Sequence, residues 1–182
     1  RYLQEFASQD DRVLDLGGGS GAFLKGLCAF FRHVELVDLD SEDARRIASY
    51  LKLSNVQIHE CDIRDFKPPE PFDVILAADV LEHFHDLNVP VQFLKRLLRQ
   101  TTGTLFVSLP TENWFYRLAR AITNKAKPSD HYHSASQVLE FLENSGFSII
   151  GSRWCPTFVF PLPLFQIAVL RWSSGGTAVS AC

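Results

Sequence analysis

The chain has 182 residues, 46% of them hydrophobic and 21% charged, the size and balance of one globular domain with a core of its own. Its formal net charge of -3 supplies no basic field, so binding to a nucleic-acid backbone is not expected. The four cysteines (Cys28, Cys61, Cys155, Cys182) form no CxxC pair, which argues against a zinc site and a disulfide framework and favours a reducing, cytoplasmic setting.

In chain order, "RVLDL" (12–16) reads as a short apolar strand, and Gly21 to Phe31 then takes helical spacing, with Phe23, Leu24 and Leu27 on one side. "VELVDLD" (34–40) is a second strand. Ser41 is the expected cap of the next helix, with Glu42 and Asp43 in the first turn, where the helix dipole favours acids. "VQIHE" (56–60) is a third strand and "FDVILAA" (72–78) a fourth, apolar enough to be buried on both faces. Residues 88–100 form an amphipathic helix, and "TLFVSLP" (104–110) is a fifth strand. Such alternation implies parallel pairing with right-handed crossovers, hence an α/β fold: a Rossmann-like, doubly wound sheet with helices on both faces.

The end of the chain changes rhythm. After a helix at 136–144, "FSIIGSRW" and "FQIAVLRW" are two strands with no helix between them, an antiparallel pair at one sheet edge. The sheet is therefore expected to have seven strands, mostly parallel, with the last one antiparallel. Between the fifth strand and the last helix, residues 111–133 are too long for a simple connection and rich in aromatics and histidine. They leave the carboxyl end of a strand, where ligands sit in open α/β sheets, and read as a substrate cover within a single domain spanning 1–172. Residues 173–182 are small and polar and are expected to be disordered. The apolar run "PTFVFPLPLFQIAVL" is too short for a bilayer and carries three prolines, so no integral membrane segment is expected. The chain contains no methionine, even at position 1, and is expected to be the trimmed part of a longer protein.

The stretch "LGGGSGAF" between the first strand and helix lets the backbone turn tightly and approach a ligand without a Cβ in the way. A dinucleotide fingerprint is formally met by Gly17, Gly19 and Ala22, with Asp38 as its distal acid. A hydrolase nucleophile elbow is nearly met around Ser20, but Ala22 replaces its last glycine. A phosphate-binding P-loop is excluded, because no Gly-Lys-Ser/Thr follows.

A third reading rests on several stretches together. "LDLGGGSG", "LVDLD", "HECDIRDF", "FDVILAADVLEHF" and "HYHSASQVLEFLENSGF" occur in that order, and the set resembles the class I S-adenosylmethionine-dependent methyltransferases, especially those acting on small molecules. That resemblance implies the cofactor S-adenosyl-L-methionine, leaving as S-adenosyl-L-homocysteine. It implies a donor loop of Asp15, Gly17, Gly18, Gly19 and Gly21, and Asp38 on the ribose hydroxyls with Leu39 beside the adenine. It also implies Asp62 near the adenine amino group, Ile63 against the ring, and Ala78 and Asp79 at the fourth strand's end. The expected function is transfer of a methyl group to a small-molecule acceptor. The alternatives are an NAD(P)-binding oxidoreductase, for which no Tyr-x-x-x-Lys relay is found, and a non-catalytic donor-binding module.

Where the acceptor must lose a proton, a histidine is the usual base near neutral pH. The candidates are His83 and His85 after the fourth strand and His131 and His133 in the long segment; His83 is read as structural or donor-proximal, and His131 and His133, flanking Tyr132, as the ones to face substrate. Glu82 reads as a helix-start residue. Trp114, Phe115 and Tyr116 are equally readable as an aromatic wall for a planar or lipophilic acceptor and as core contacts. No ligand spacing suggests a metal.

Overall fold

The computed structural model of the chain describes residues 2–110, 132–156 and 163–172. The expected cover at 111–133 lies outside them except for Tyr132 and His133, and so do His131, the Trp114–Tyr116 aromatics and the 173–182 tail.

Seven strands make one sheet: β1 (Arg12–Leu16), β2 (His33–Asp38), β3 (Val56–Glu60), β4 (Val74–Ala78), β5 (Thr104–Pro110), β6 (Phe147–Pro156) and β7 (Pro163–Trp172). Their order is β3-β2-β1-β4-β5-β7-β6. The first five pair in parallel, whereas β7 runs antiparallel to both of its neighbours. The reversed last strand therefore lies inside the sheet, between β5 and β6, and β6 forms the edge.

Among the described residues the α-helices are α1 (Leu24–Phe30), α2 (Glu42–Tyr50), α3 (Asn88–Leu97) and α4 (Ala135–Asn144). Side chains alternate across each strand, so β4 sends Val74 and Leu76 to one face and Ile75 and Ala77 to the other. The first face packs on Leu24 and Leu27 of α1 and Ala44 and Ala48 of α2. The second packs on Val91, Leu94 and Leu97 of α3 and Val138, Leu139 and Leu142 of α4. This double burial is why β4 reads as an unbroken apolar run.

Local chemistry sets the element ends differently from the spacing alone. α1 begins at Leu24, not Gly21, because Gly17, Gly19 and Gly21 hold φ of +67°, +49° and +78°, outside the right-handed helical region. Ser41 precedes α2 as expected but makes no side-chain cap; its buried hydroxyl donates to Glu60 Oε2 on β3 at 2.8 Å. α4 carries a reciprocal cap that spacing did not single out. Gln137 N donates to Ser134 Oγ while Ser134 N donates to Gln137 Oε1 at 2.9 Å.

Candidate active site

The carboxyl ends of β1, β2 and β4 meet where the chain order of the sheet reverses, β1 lying between β2 and β4. A crevice opens there in sheets of this kind. Here it is a cleft of about 330 Å³ lined by Gly17, Asp38, Leu39, Asp62, Ile63, Arg64, Asp79, Val80, His83 and Phe84. Six of the sequence candidates thus share one surface. Gly18, Gly19 and Gly21 belong to the loop behind it, and Ala78 lines a neighbouring cleft that also reaches Asp79.

Three of the loop's amides are occupied within the protein. Gly17 N donates to Val37 O at 2.8 Å, Gly19 N to Asp38 Oδ2 at 2.8 Å, and Gly21 N to Gly18 O at 2.8 Å. Asp38 Oδ1 accepts from Asp40 N at 3.0 Å, so its carboxylate clips the end of β2 to the glycine loop. The glycines also pack tightly: a Cβ at Gly18 would stand 2.5 Å from Leu36 Cδ1, and one at Gly21 3.1 Å from Ala44 Cα. At Gly17 a Cβ would meet Val80 Cγ2 at 2.7 Å, so a side chain there strains the loop itself as well as crowding the cleft.

Asp15 lies beneath the loop rather than on the cleft wall. It is 1% exposed, and Oδ2 has no hydrogen-bond partner among the described residues. Burial, with the charge of Asp38 adding to it, pushes its carboxyl up to about 7. Leu39, an apolar side chain 71% exposed at the cleft, is the kind of surface a flat apolar ring covers. Asp62 is held by Arg64, whose Nε donates to both carboxylate oxygens at 2.9 Å; these bonds keep its carboxyl below the usual range.

Asp79 is bent into the left-handed region (φ +55°) directly after β4, and its N–H donates to Ser108 O at 3.0 Å. Such strain in a non-glycine residue clusters at functional sites. Burial raises its carboxyl, opposed by His83. Glu82, read from sequence as a helix-start residue, does lie in the first turn of a short 3-10 helix (Leu81–His83), but it is also 1% exposed, and neither carboxylate oxygen has a partner among the described residues. Burial pushes it up to about 7. Nothing in the local sequence signals this, and the partner of its backbone carbonyl is far along the chain: Tyr132 N donates to Glu82 O at 2.9 Å.

His133 lines neither cleft; its Nε2 donates to the His85 carbonyl at 3.2 Å, leaving Nδ1 as the basic nitrogen of a neutral ring. Among the described residues no His, Cys, Asp and Glu side chains are grouped to hold a metal ion, and no helix is long and apolar enough to cross a membrane.

The clustered carboxylates suit a ligand with a vicinal diol, a flat apolar ring and positive charge. Asp38 offers acceptors for the diol, Leu39 and Ile63 offer apolar flanks, and Asp15 is a buried acid in want of a partner. A pyrophosphate finds the opposite, with acids around it, loop amides already bonded, and the Arg64 guanidinium held by Asp62.

A family model described as a methyltransferase domain matches residues 1–151. The ubiquinone biosynthesis O-methyltransferase of Bradyrhizobium diazoefficiens is 32% identical over 107 residues, covering 57% of this chain and 41% of that protein. The tRNA 5-carboxymethoxyuridine methyltransferase of Escherichia coli K12 is 28% identical over 176 residues, 87% of this chain and 67% of that one. The chain thus spans well under two thirds of the first relative's length. Among solved structures, the N-methyltransferase NodS of Bradyrhizobium japonicum in complex with S-adenosyl-L-homocysteine superposes with a TM-score of 0.69 at 19% identity, covering 88% of this chain and 77% of that one.

Proposed function

Because the chain belongs to the methyltransferase-domain family, we propose that it binds S-adenosylmethionine in the cleft between β1, β2 and β4 and methylates a small-molecule acceptor. The observation that carries the donor reading is the state of the glycine loop: the amides of Gly17, Gly19 and Gly21 are bonded internally and its surroundings are acidic, which favours a cationic ligand over a phosphate. In this reading Asp38 accepts from the ribose hydroxyls, Leu39 and Ile63 flank the adenine, and Asp62 meets its amino group. Gly17 keeps the cleft floor clear, with Gly18, Gly19 and Gly21 shaping the loop behind it, and Asp15 offsets the ligand's positive charge from below. Ala78 and Asp79 stand where acceptor and donor meet.

Bound S-adenosylmethionine supplies a methyl carbon on a positively charged sulfur; the acceptor's lone pair bonds to that carbon as the C–S bond breaks, its electrons stay on sulfur, and the acceptor's proton leaves. The protein's part is to hold the acceptor in line and dry. His133 through Nδ1, and His131, are the candidate bases for that proton. A small-molecule acceptor is favoured over RNA by the net charge of -3 and the acids at the cleft. The dispersed cysteines, of which Cys28, Cys61 and Cys155 are free thiols, favour a cytoplasmic setting.

Calorimetry with S-adenosylhomocysteine and NADH side by side tests this reading: the first is expected to bind and the second not, and the reverse result removes it. The same titration against pH tests Asp15. The ligand's ammonium favours the ionised carboxylate, so affinity should climb about tenfold from pH 6 to pH 8, following ionisation about a pKa near 7. Asp15→Asn should flatten that rise; a rise of the same size in the mutant assigns it to another group.

A further inference from the structure

A second cleft, of about 530 Å³, begins at Asp79 and runs away from the donor side along the face of the sheet that carries α1. Its walls are Phe23, Leu27 and Phe30 at α1, Phe106 of β5, and Phe165 and Ile167 of β7. Among the described residues no lysine, arginine or histidine lines it, and the carboxylate there is Asp79, at the end shared with the donor cleft. Ser108 stands beside Asp79 there, its carbonyl holding the Asp79 amide. The volume lies within the range of small-ligand pockets, and the walls have the mainly apolar character of such sites.

Gly26, an exposed residue of α1, also lines the cleft, and a Cβ built on it would meet nothing within 4 Å among the described residues, so a larger side chain there has room to enter the cleft. Phe23 adds an apolar surface without a cover, 48% exposed at the wall of the cleft.

We infer that this cleft takes the body of the methyl acceptor, and that the acceptor is an uncharged molecule with an apolar, hydrocarbon-rich body and one nucleophilic polar atom at the Asp79–Ser108 end. The inference rests on the methyltransferase reading for the identity of the neighbouring site. Continuity through Asp79 puts the polar end of such a molecule beside the donor. The described walls offer an anionic acceptor no counter-charge, and burying an unpaired charge costs far more than burying hydrocarbon.

The test uses 4-decylcatechol, unsubstituted catechol and 5-carboxymethoxyuridine as probes, titrated by calorimetry into protein saturated with S-adenosylhomocysteine. Each methylene taken from water multiplies affinity about fourfold, so burial of three or four gives 4-decylcatechol roughly a hundredfold advantage over catechol. The anionic nucleoside should bind least. Gly26→Trp fills the cleft and should lower 4-decylcatechol affinity at least tenfold, with S-adenosylhomocysteine affinity changing less than twofold. Phe23→Asp, at a partly exposed position, should act in the same direction and serves as the variant should Gly26→Trp fail to fold. Equal binding of the two catechols, preference for the nucleoside, or an unchanged 4-decylcatechol affinity in the folded variants overturns the inference. The two readings separate cleanly: if S-adenosylhomocysteine does not bind, the donor site is refuted, and the same titrations without it still decide the apolar cleft.

Discussion

Asp38→Ala is expected to weaken S-adenosylhomocysteine binding by about 2–3 kcal/mol, roughly thirty- to a hundredfold, from the loss of charge-assisted hydrogen bonds to the two ribose hydroxyls. The structure adds a second route to the same loss. Asp38 Oδ2 accepts from Gly19 N and Oδ1 from Asp40 N, so the alanine mutant also releases the glycine loop from the end of β2. Asp38→Asn separates the two contributions. An amide still offers one oxygen to Gly19 N, so the loop stays tethered while the charge is gone, and an intermediate loss is expected. Calorimetry on both mutants, with circular dichroism to establish folding, gives the answer; parent-like affinity in a folded Asp38→Ala protein would remove this residue from the donor site.

Glu82→Gln should stabilise the protein at pH 8 by about 3 kcal/mol, raising Tm by about 5–10 °C, while changing stability by less than about 1 kcal/mol at pH 5. The carboxyl is 1% exposed, has no hydrogen-bond partner among the described residues, and is pushed up to about 7 from an ordinary value of 4.5. A folded-state pKa above the unfolded one means that the native protein holds this proton more tightly. The native state therefore keeps its full stability below about pH 4.5 and loses it as pH rises from there through about 7, as the unfolded chain ionises freely and the buried group cannot. Asp15, raised from 3.8 to about 7 by burial, acts in the same sense, so the whole protein should be more stable near pH 5 than near pH 8. Thermal melts of parent and Glu82→Gln across that range measure the effect. Parallel curves at both pH values would mean that the carboxylate finds solvent or a cation in solution.

Much of the fold was legible in the chain because it is written in local periodicity. Short β-branched runs such as "VILAA" alternate with helical spacing, and parallel strands need crossovers of that length, so five parallel strands with covering helices follow without knowledge of long-range contacts. The reversal of the last strand was legible for the same reason: two strands without a helix between them can pair only antiparallel. The donor candidates that line the cleft, Gly17, Asp38, Leu39, Asp62, Ile63 and Asp79, sit at strand ends, and strand ends in a parallel sheet converge by geometry.

What only the tertiary structure decided is where each polar group ends up among residues distant in sequence. Ser41 has the sequence context of a helix cap, but β3 brings Glu60 within 2.8 Å of its hydroxyl, which donates to that carboxylate, and its oxygen accepts from no amide of α2. Glu82 reads as a helix-start residue and lies in such a turn, but its burial is not written there, and the partner of its carbonyl is the distant Tyr132 N–H. The glycine loop fits dinucleotide and methyl-donor readings alike as a string of letters. The bonding of Gly17, Gly19 and Gly21 to Val37, Asp38 and Gly18 weighs against a phosphate, because an amide already donating has no hydrogen left for one. Gly26 is a mere helix-weakening residue in the sequence and a gap in the wall of an apolar cleft in the folded chain. Backbone propensity and hydrophobic period act between near neighbours and can be read from the chain, whereas burial, charge state and empty space depend on what the rest of the fold packs against each residue.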